Sequence, residues 1–147
     1  MNKSSNIPVF VSVIVFFIGC YDLLRGVMHT FLLNYSAITF AGLDLSTTQA
    51  TDLLRLLGAF GISNLITGIM LVSVSLNSRK LSLAFLGVIP LCYGIGRIAI
   101  HPIMALYPVT QARWFGLHPM YIYLSICTIA FVAGLGVTLY RNQAKKN

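Results

Sequence analysis

The stretch Ile7–Leu33, IPVFVSVIVFFIGCYDLLRGVMHTFLL, decides the fold. It exceeds the roughly 20 apolar residues that carry a helix across a bilayer, and its Lys, Arg, Asp and Glu content is limited to Asp22 and Arg25. Three more runs of the same character follow, at about 49–76, 81–100 and 118–140. Of the 147 residues, 57% are hydrophobic and 9% charged, with a mean hydropathy of +0.84. A soluble chain carries about 25% charged residues, so this apolar surplus has to face lipid. Four spans fill the chain and leave no room for a soluble domain, and no alternating segments suggest a barrel. The expectation is an all-α, polytopic membrane four-helix bundle with one transmembrane domain over residues 1–147.

Local signals mark the ends of the spans. Pro8 falls in the first turn of the first span, where its missing N–H costs little. Ser46, Thr47 or Thr48 is placed to cap the second helix. Asn77-Ser78-Arg79-Lys80 makes a tight turn, and the third helix is expected to stop at His101-Pro102. Pro90, with Gly87, Gly94 and Gly96 around it, predicts a kink that widens any cavity beside it. The apolar run continues past Cys20 to Leu33, so a retained span is favoured over a cleaved leader, although Phe17-Ile18-Gly19-Cys20 loosely imitates a lipoprotein box. Cys20, Cys92 and Cys127 lie within apolar runs and form no C-x-x-C pair, so they define no disulfide framework.

Charge distribution orients the spans. Lys3, Arg79, Lys80, Arg141, Lys145 and Lys146 all fall on one side, which the positive-inside rule makes cytoplasmic for both termini of a multi-pass cell-membrane protein. The opposite connections, about 34–48 and 102–117, hold no lysine and only Arg113. On that side Asn34-Tyr35-Ser36 forms a sequon, and Tyr107, Trp114, Tyr121 and Tyr123 suit an aromatic belt. With its cations at helix ends, the net charge of +7 argues for no nucleic-acid partner.

One pattern occurs twice. Cys20-Tyr21, Arg25 and His29 in the first span match Cys92-Tyr93, Arg97 and His101 in the third, both reading C-Y-x3-R-x3-H. A displacement of two spans predicts two parallel helix hairpins, 2+2. Within each copy Tyr, Arg and His share one helical stripe. Asp22, Asp52, Arg55, Arg113 and His118 lie near the same depth, so the expected result is a polar layer near the outer surface.

Two readings of that layer stand. In one, Tyr21, Arg25, His29, Asp52, Arg55, Tyr93, Arg97 and His101 line an outward-opening pocket, because ionisable groups in spans usually face the bundle interior or a watery cavity. Four arginines against three aspartates favour an anionic amphiphile such as a lipid, carboxylate or quinone-like ligand, held by arginine forks. Protonation of His29 or His101 then strengthens binding as pH falls. In the other reading, Asp22–Arg25 and Asp52–Arg55 are i,i+3 pairs and the remaining arginines snorkel to head groups.

The remaining small and polar residues read as packing. Gly58, Gly61, Ser63, Thr67 and Gly68 in the second span, and Ser125, Thr128, Ala130, Ala133, Gly134 and Gly136 in the fourth, allow close helix approach. Asn64, deep in its span, calls for a hydrogen bond to a neighbouring helix, with a ligand contact as the alternative. No H-E-x-x-H, G-x-S-x-G or phosphate loop is present, so catalysis lacks support and no catalytic residue or metal site is assigned. His29 and His101 on parallel helices admit a haem, but no cofactor is demanded.

Arg55-Leu56-Leu57-Gly58-x-x-Gly61 with Gly68, followed by Gly94-Ile95-Gly96-Arg97, resembles the DoxX-like grouping of small four-helix membrane proteins. The resemblance covers mainly the second and third spans. It implies a four-helix integral membrane protein, linked in some relatives to quinone redox systems, and transfers no catalytic residue. Function therefore divides among an amphiphile-binding protein, an accessory or assembly subunit of a larger membrane complex, and a quinone- or haem-linked redox protein. Membrane lipid, an anionic small molecule, a membrane-protein partner and a second copy are the corresponding partners.

Overall fold

The computed structural model describes residues 6–106 and 117–145. The order is α1 (Val9–Thr30), α2 (Leu33–Thr39), α3 (Ala50–Asn77), α4 (Arg79–Met104) and α5 (Leu117–Gln143), with no strand among the described residues. All but the short α2 are long and apolar enough to cross a membrane. Large apolar side chains such as Phe17, Ile66, Ile98 and Ile129 lie on the outside, as expected of helices that cross a membrane and not of a soluble surface. The chain is an all-α four-helix integral membrane protein.

The closest packing joins α1 and α3. Gly19 and Gly26 on α1, and Gly61 and Gly68 on α3, recur seven residues apart and so lie on single helix faces. A Cβ at Gly26 would stand 2.7 Å from the Leu65 backbone nitrogen, and one at Gly68 2.7 Å from that of Leu23. One at Gly19 would meet the Val72 nitrogen at 2.9 Å. The pairing 19 with 72, 23 with 68 and 26 with 65 makes the helices antiparallel, with backbones as close as small residues permit. Against this pair, α5 packs antiparallel to α1, through Val11 with Gly134 and Asp22 with Tyr123, and antiparallel to α4, through Leu83 with Gly134 and Gly87 with Phe131. Helices α1 and α4 therefore run parallel, with Ser12 Oγ donating to Ser82 Oγ at 3.4 Å near their starts. The core, including Val11, Val15, Leu71, Leu86, Cys127 and Ala130, is concentrated toward this end.

Several boundaries differ from the sequence expectation. The first span breaks at Leu32 (φ −110°, ψ 39°) instead of running to Leu33 as one helix, because α2 turns back to bury Ser36 and Ala37. Gly42, with φ of 62°, takes the left-handed backbone that lets Leu43 N–H reach the Ala37 carbonyl at 2.9 Å. Gln49, not Ser46, Thr47 or Thr48, occupies the α3 N-cap, with no side-chain cap bond; Ser46 instead donates from N and Oγ to Asp44. Pro8 is the α1 N-cap. Ser78 alone separates α3 from α4 and caps α4 by accepting from Leu81 N–H. Helix α4 passes His101-Pro102 to Met104, because a proline in the last turn removes only one donor, opposite the carbonyl of exposed Ile98.

Candidate functional site

The first copy of the C-Y-x3-R-x3-H pattern is built into a polar cluster. Asp22 is 3% exposed. Its Oδ2 accepts from the Tyr123 hydroxyl at 3.0 Å, and its Oδ1 accepts from Arg25 Nη1 at 3.5 Å. The Arg25 guanidinium carbon stands over two aromatic rings, 5.6 Å from the Tyr21 centroid and 5.2 Å from that of Phe60, within cation–π range. Tyr21 in turn lies 5.9 Å, centroid to centroid, from Tyr123. One turn further on, the His29 ring is 5.9 Å from Phe60, and His29 Nδ1 hydrogen-bonds Ser36 Oγ of α2. Helices α1, α2, α3 and α5 thus each supply a residue.

Arg25 has few partners for its donors. Among the described residues its sole hydrogen bond is the long one to Asp22, and its side chain is 20% exposed. A guanidinium carries five N–H donors, so most of them remain open to an incoming acceptor. Beside the cluster, Ile14, Phe17, Ile18 and Tyr21 of α1 face Pro119, Ile122, Tyr123 and Ile126 of α5 across an apolar groove of about 410 Å³. From the Asp22–Tyr123 contact, one turn along α1 leads to Arg25 and one turn back along α5 leads to Pro119. Arg25 is therefore level with the Pro119 end of the groove, although it is not one of the lining residues.

Of the second copy only Tyr93 comes near this cluster, close enough to Tyr123 to act on it electrostatically; Cys92, Arg97 and His101 make no hydrogen bond or ion pair with it among the described residues. Cys92, Tyr93, Arg97 and His101 all lie on the exposed C-terminal half of α4, and from Leu91 to Leu106 only Gly96 is even half-buried. A Cβ at Gly94 or Gly96 would meet nothing within 4 Å. Asp52 and Arg55 pair at 3.5 Å, but their side chains are 79% and 77% exposed, so the pair contributes little. Both anticipated i,i+3 pairs form, and only Asp22–Arg25 is enclosed. Among the described residues Tyr21, Arg25 and His29 gather in one cluster on α1, whereas Asp52, Arg55, Arg97 and His101 are separate exposed residues on α3 and α4.

Depth explains the difference in cost. At 1.5 Å per residue, Asp22 and Arg25 stand about 21 and 25 Å along α1 from Pro8, inside a hydrocarbon layer about 30 Å thick. On the same measure from Ser78, Arg97 stands about 28 Å along α4, His101 and Arg55 each about 34 Å along their helices and Asp52 about 39 Å, so these residues lie close to or beyond the far boundary of that layer. Head groups and water satisfy the latter residues, whereas Asp22 and Arg25 need protein partners.

Tyr123, Phe60 and Ser36 complete the cluster although sequence reasoning assigned none of them to the site. A signal for Tyr123 exists: it shares a stripe with Cys127, Ala130 and Gly134 on α5, all buried. Asn64 is buried with its Nδ2 unpartnered, as is Thr30 Oγ1, contrary to the interhelical bond expected of Asn64. Of the expected α5 packing surface, Ala130 and Gly134 are buried, whereas Ser125, Thr128, Ala133 and Gly136 are exposed. His118 is exposed, and Tyr107, Arg113 and Trp114 lie outside the described residues. Among those residues no group of three His, Cys, Asp or Glu side chains could hold a metal ion. No protein-family model, curated protein or solved structure matches the chain.

Proposed function

We propose that this integral membrane protein binds an anionic amphiphile at its α1 cluster, with the apolar chain in the α1/α5 groove and the acidic head at Arg25. The observation that carries this reading is a guanidinium with most of its donors free, stacked near Tyr21, which itself lines the α1/α5 groove. Asp22 fixes one side of Arg25, and Tyr21 and Phe60 hold its plane, so the arginine is positioned before a ligand arrives and little side-chain entropy remains to be lost. Tyr21 adds a hydroxyl beside Arg25 for the acidic head, and His29 sets the position of α2 through Ser36. In this reading the cluster faces the outer surface and both termini are cytoplasmic, as the lysine and arginine distribution requires.

Photo-crosslinking with palmitate bearing a terminal diazirine tests it. The label is expected on peptides containing Ile14–Ile18 and Ile122–Ile126, and filling the groove with Ile122→Trp is expected to remove it. Label spread evenly over α3 and α4, or unchanged by Ile122→Trp, refutes the reading.

The unpartnered outer half of α4 favours a second reading, an accessory subunit docked through that face. Copurification in mild detergent separates the two: a stoichiometric partner lost on Ile98→Asn supports docking, and its absence leaves the amphiphile reading alone.

A further inference from the structure

The end of the bundle remote from the α1 cluster carries only cations. Arg79 and Lys80 begin α4, and Arg141 and Lys145 close α5, all exposed, whereas the three aspartates of the chain, Asp22, Asp44 and Asp52, lie toward the other end or in its loop. Two of these cations are already engaged. Arg141 Nη1 donates to the Asn6 carbonyl at 3.3 Å and Lys145 Nζ to Asn6 Oδ1 at 2.5 Å. Arg79 and Lys80 make no side-chain hydrogen bond or ion pair among the described residues.

Next to them is a second apolar groove, of about 270 Å³, between α1 and α3, lined by Ser12, Val13, Phe16, Ser75 and Leu76. Its position relative to the basic pair is fixed at two points. Leu76 precedes Arg79 by three residues across the one-residue Ser78 turn, and Ser12 in the groove wall hydrogen-bonds Ser82 in the first turn of α4. The Ser75 hydroxyl is satisfied by the Val72 carbonyl at 2.6 Å, which leaves the groove an apolar lining. A basic pair set directly beside an apolar slot that starts at a membrane boundary matches a phosphate joined to an acyl chain.

We infer that Arg79 and Lys80, together with the α1/α3 groove, form a binding site for an anionic phospholipid, the phosphate on the two cations and one acyl chain along Val13, Phe16 and Leu76. The site is separate from the α1 cluster and does not depend on the function proposed for it.

Native mass spectrometry of the protein released from nanodiscs of equal phosphatidylglycerol and phosphatidylcholine tests this site. Wild type is expected to retain phosphatidylglycerol preferentially. Arg79→Ala/Lys80→Ala is expected to lower that retention by about 25-fold, each basic residue near an anionic surface being worth about fivefold. The charge-conserving Arg79→Lys/Lys80→Arg variant should retain the lipid, which separates loss of charge from loss of fold. Val13→Trp, at an exposed position, fills the slot with all charges intact and should also release the lipid. Equal retention of the two lipids by wild type, a preference that survives the double alanine variant, or wild-type binding by Val13→Trp overturns the inference.

Discussion

The two copies of C-Y-x3-R-x3-H have the same residues at the same spacing and opposite surroundings. On α1 the pattern is interleaved with Gly19, Asp22 and Gly26; at the corresponding places α4 has Leu91, Gly94 and Ile98. The glycines let α3 approach within backbone contact, which encloses the arginine against Tyr21 and Phe60. Leu91 and Ile98 instead point outward, 61% and 77% exposed, and hold any neighbour away. Asp22 supplies a counter-charge that Gly94 cannot. The motif residues therefore do not make the cluster by themselves; the small and acidic residues between them do.

That contrast can be broken from either side. The largest effect is expected from Asp22→Ala, which leaves Arg25 and the Tyr123 hydroxyl without their shared carboxylate in the hydrocarbon layer. Unfolding by detergent titration should show a loss of about 3–5 kcal/mol, and a loss below about 1 kcal/mol would mean that the network is not enclosed. Next comes Gly26→Leu, which forces side-chain atoms against the Leu65 backbone and should cost about 1–3 kcal/mol. Gly94→Leu on α4 should be nearly neutral, and equal costs at the two sites would contradict the seam. Tyr123→Phe removes one hydrogen bond and is expected to cost about 0.6 kcal/mol, typical of a bond inside a membrane protein.

The smallest effect lies in the loop before α3. There the Ser46 hydroxyl and N–H hold the Asp44 carboxyl below its ordinary value of 3.8. A depressed folded pKa stabilises the turn above the unfolded value, and that contribution is lost as pH falls through the folded one. The protection factor of the Ser46 amide, corrected for the pH dependence of intrinsic exchange, should therefore fall only on acidification below the usual carboxylate range. A loss of protection already near neutral pH would mean that the turn is held by something else.

Much of this fold was legible because membrane spans report themselves by length and hydropathy, and four runs gave four helices with ends within a few residues. The breaks at Leu32 and past Pro102 were not, since one depends on Ser36 folding back onto His29 and the other on lipid-boundary solvation of a freed carbonyl. The site was half legible. Tyr21, Arg25 and His29 share a stripe that any helix makes visible, but equal weight fell on Tyr93, Arg97 and His101 because a repeat conveys similarity of sequence and not of neighbours. The Gly19/Gly26 and Gly61/Gly68 spacings were the available discriminator, and they can be read only once it is known which helices pair. Phe60 and Ser36 carry no mark of their role, being an aromatic in an apolar run and a serine in a short connection.

The most direct test of the central claim, that one copy of the pattern is functional, is a palmitate titration followed by native mass spectrometry on wild type, Arg25→Ala and Arg97→Ala. Binding should be lost in Arg25→Ala, partly restored in Arg25→Lys and unchanged in Arg97→Ala. Equal loss in Arg25→Ala and Arg97→Ala, or loss in Arg97→Ala alone, would contradict the account.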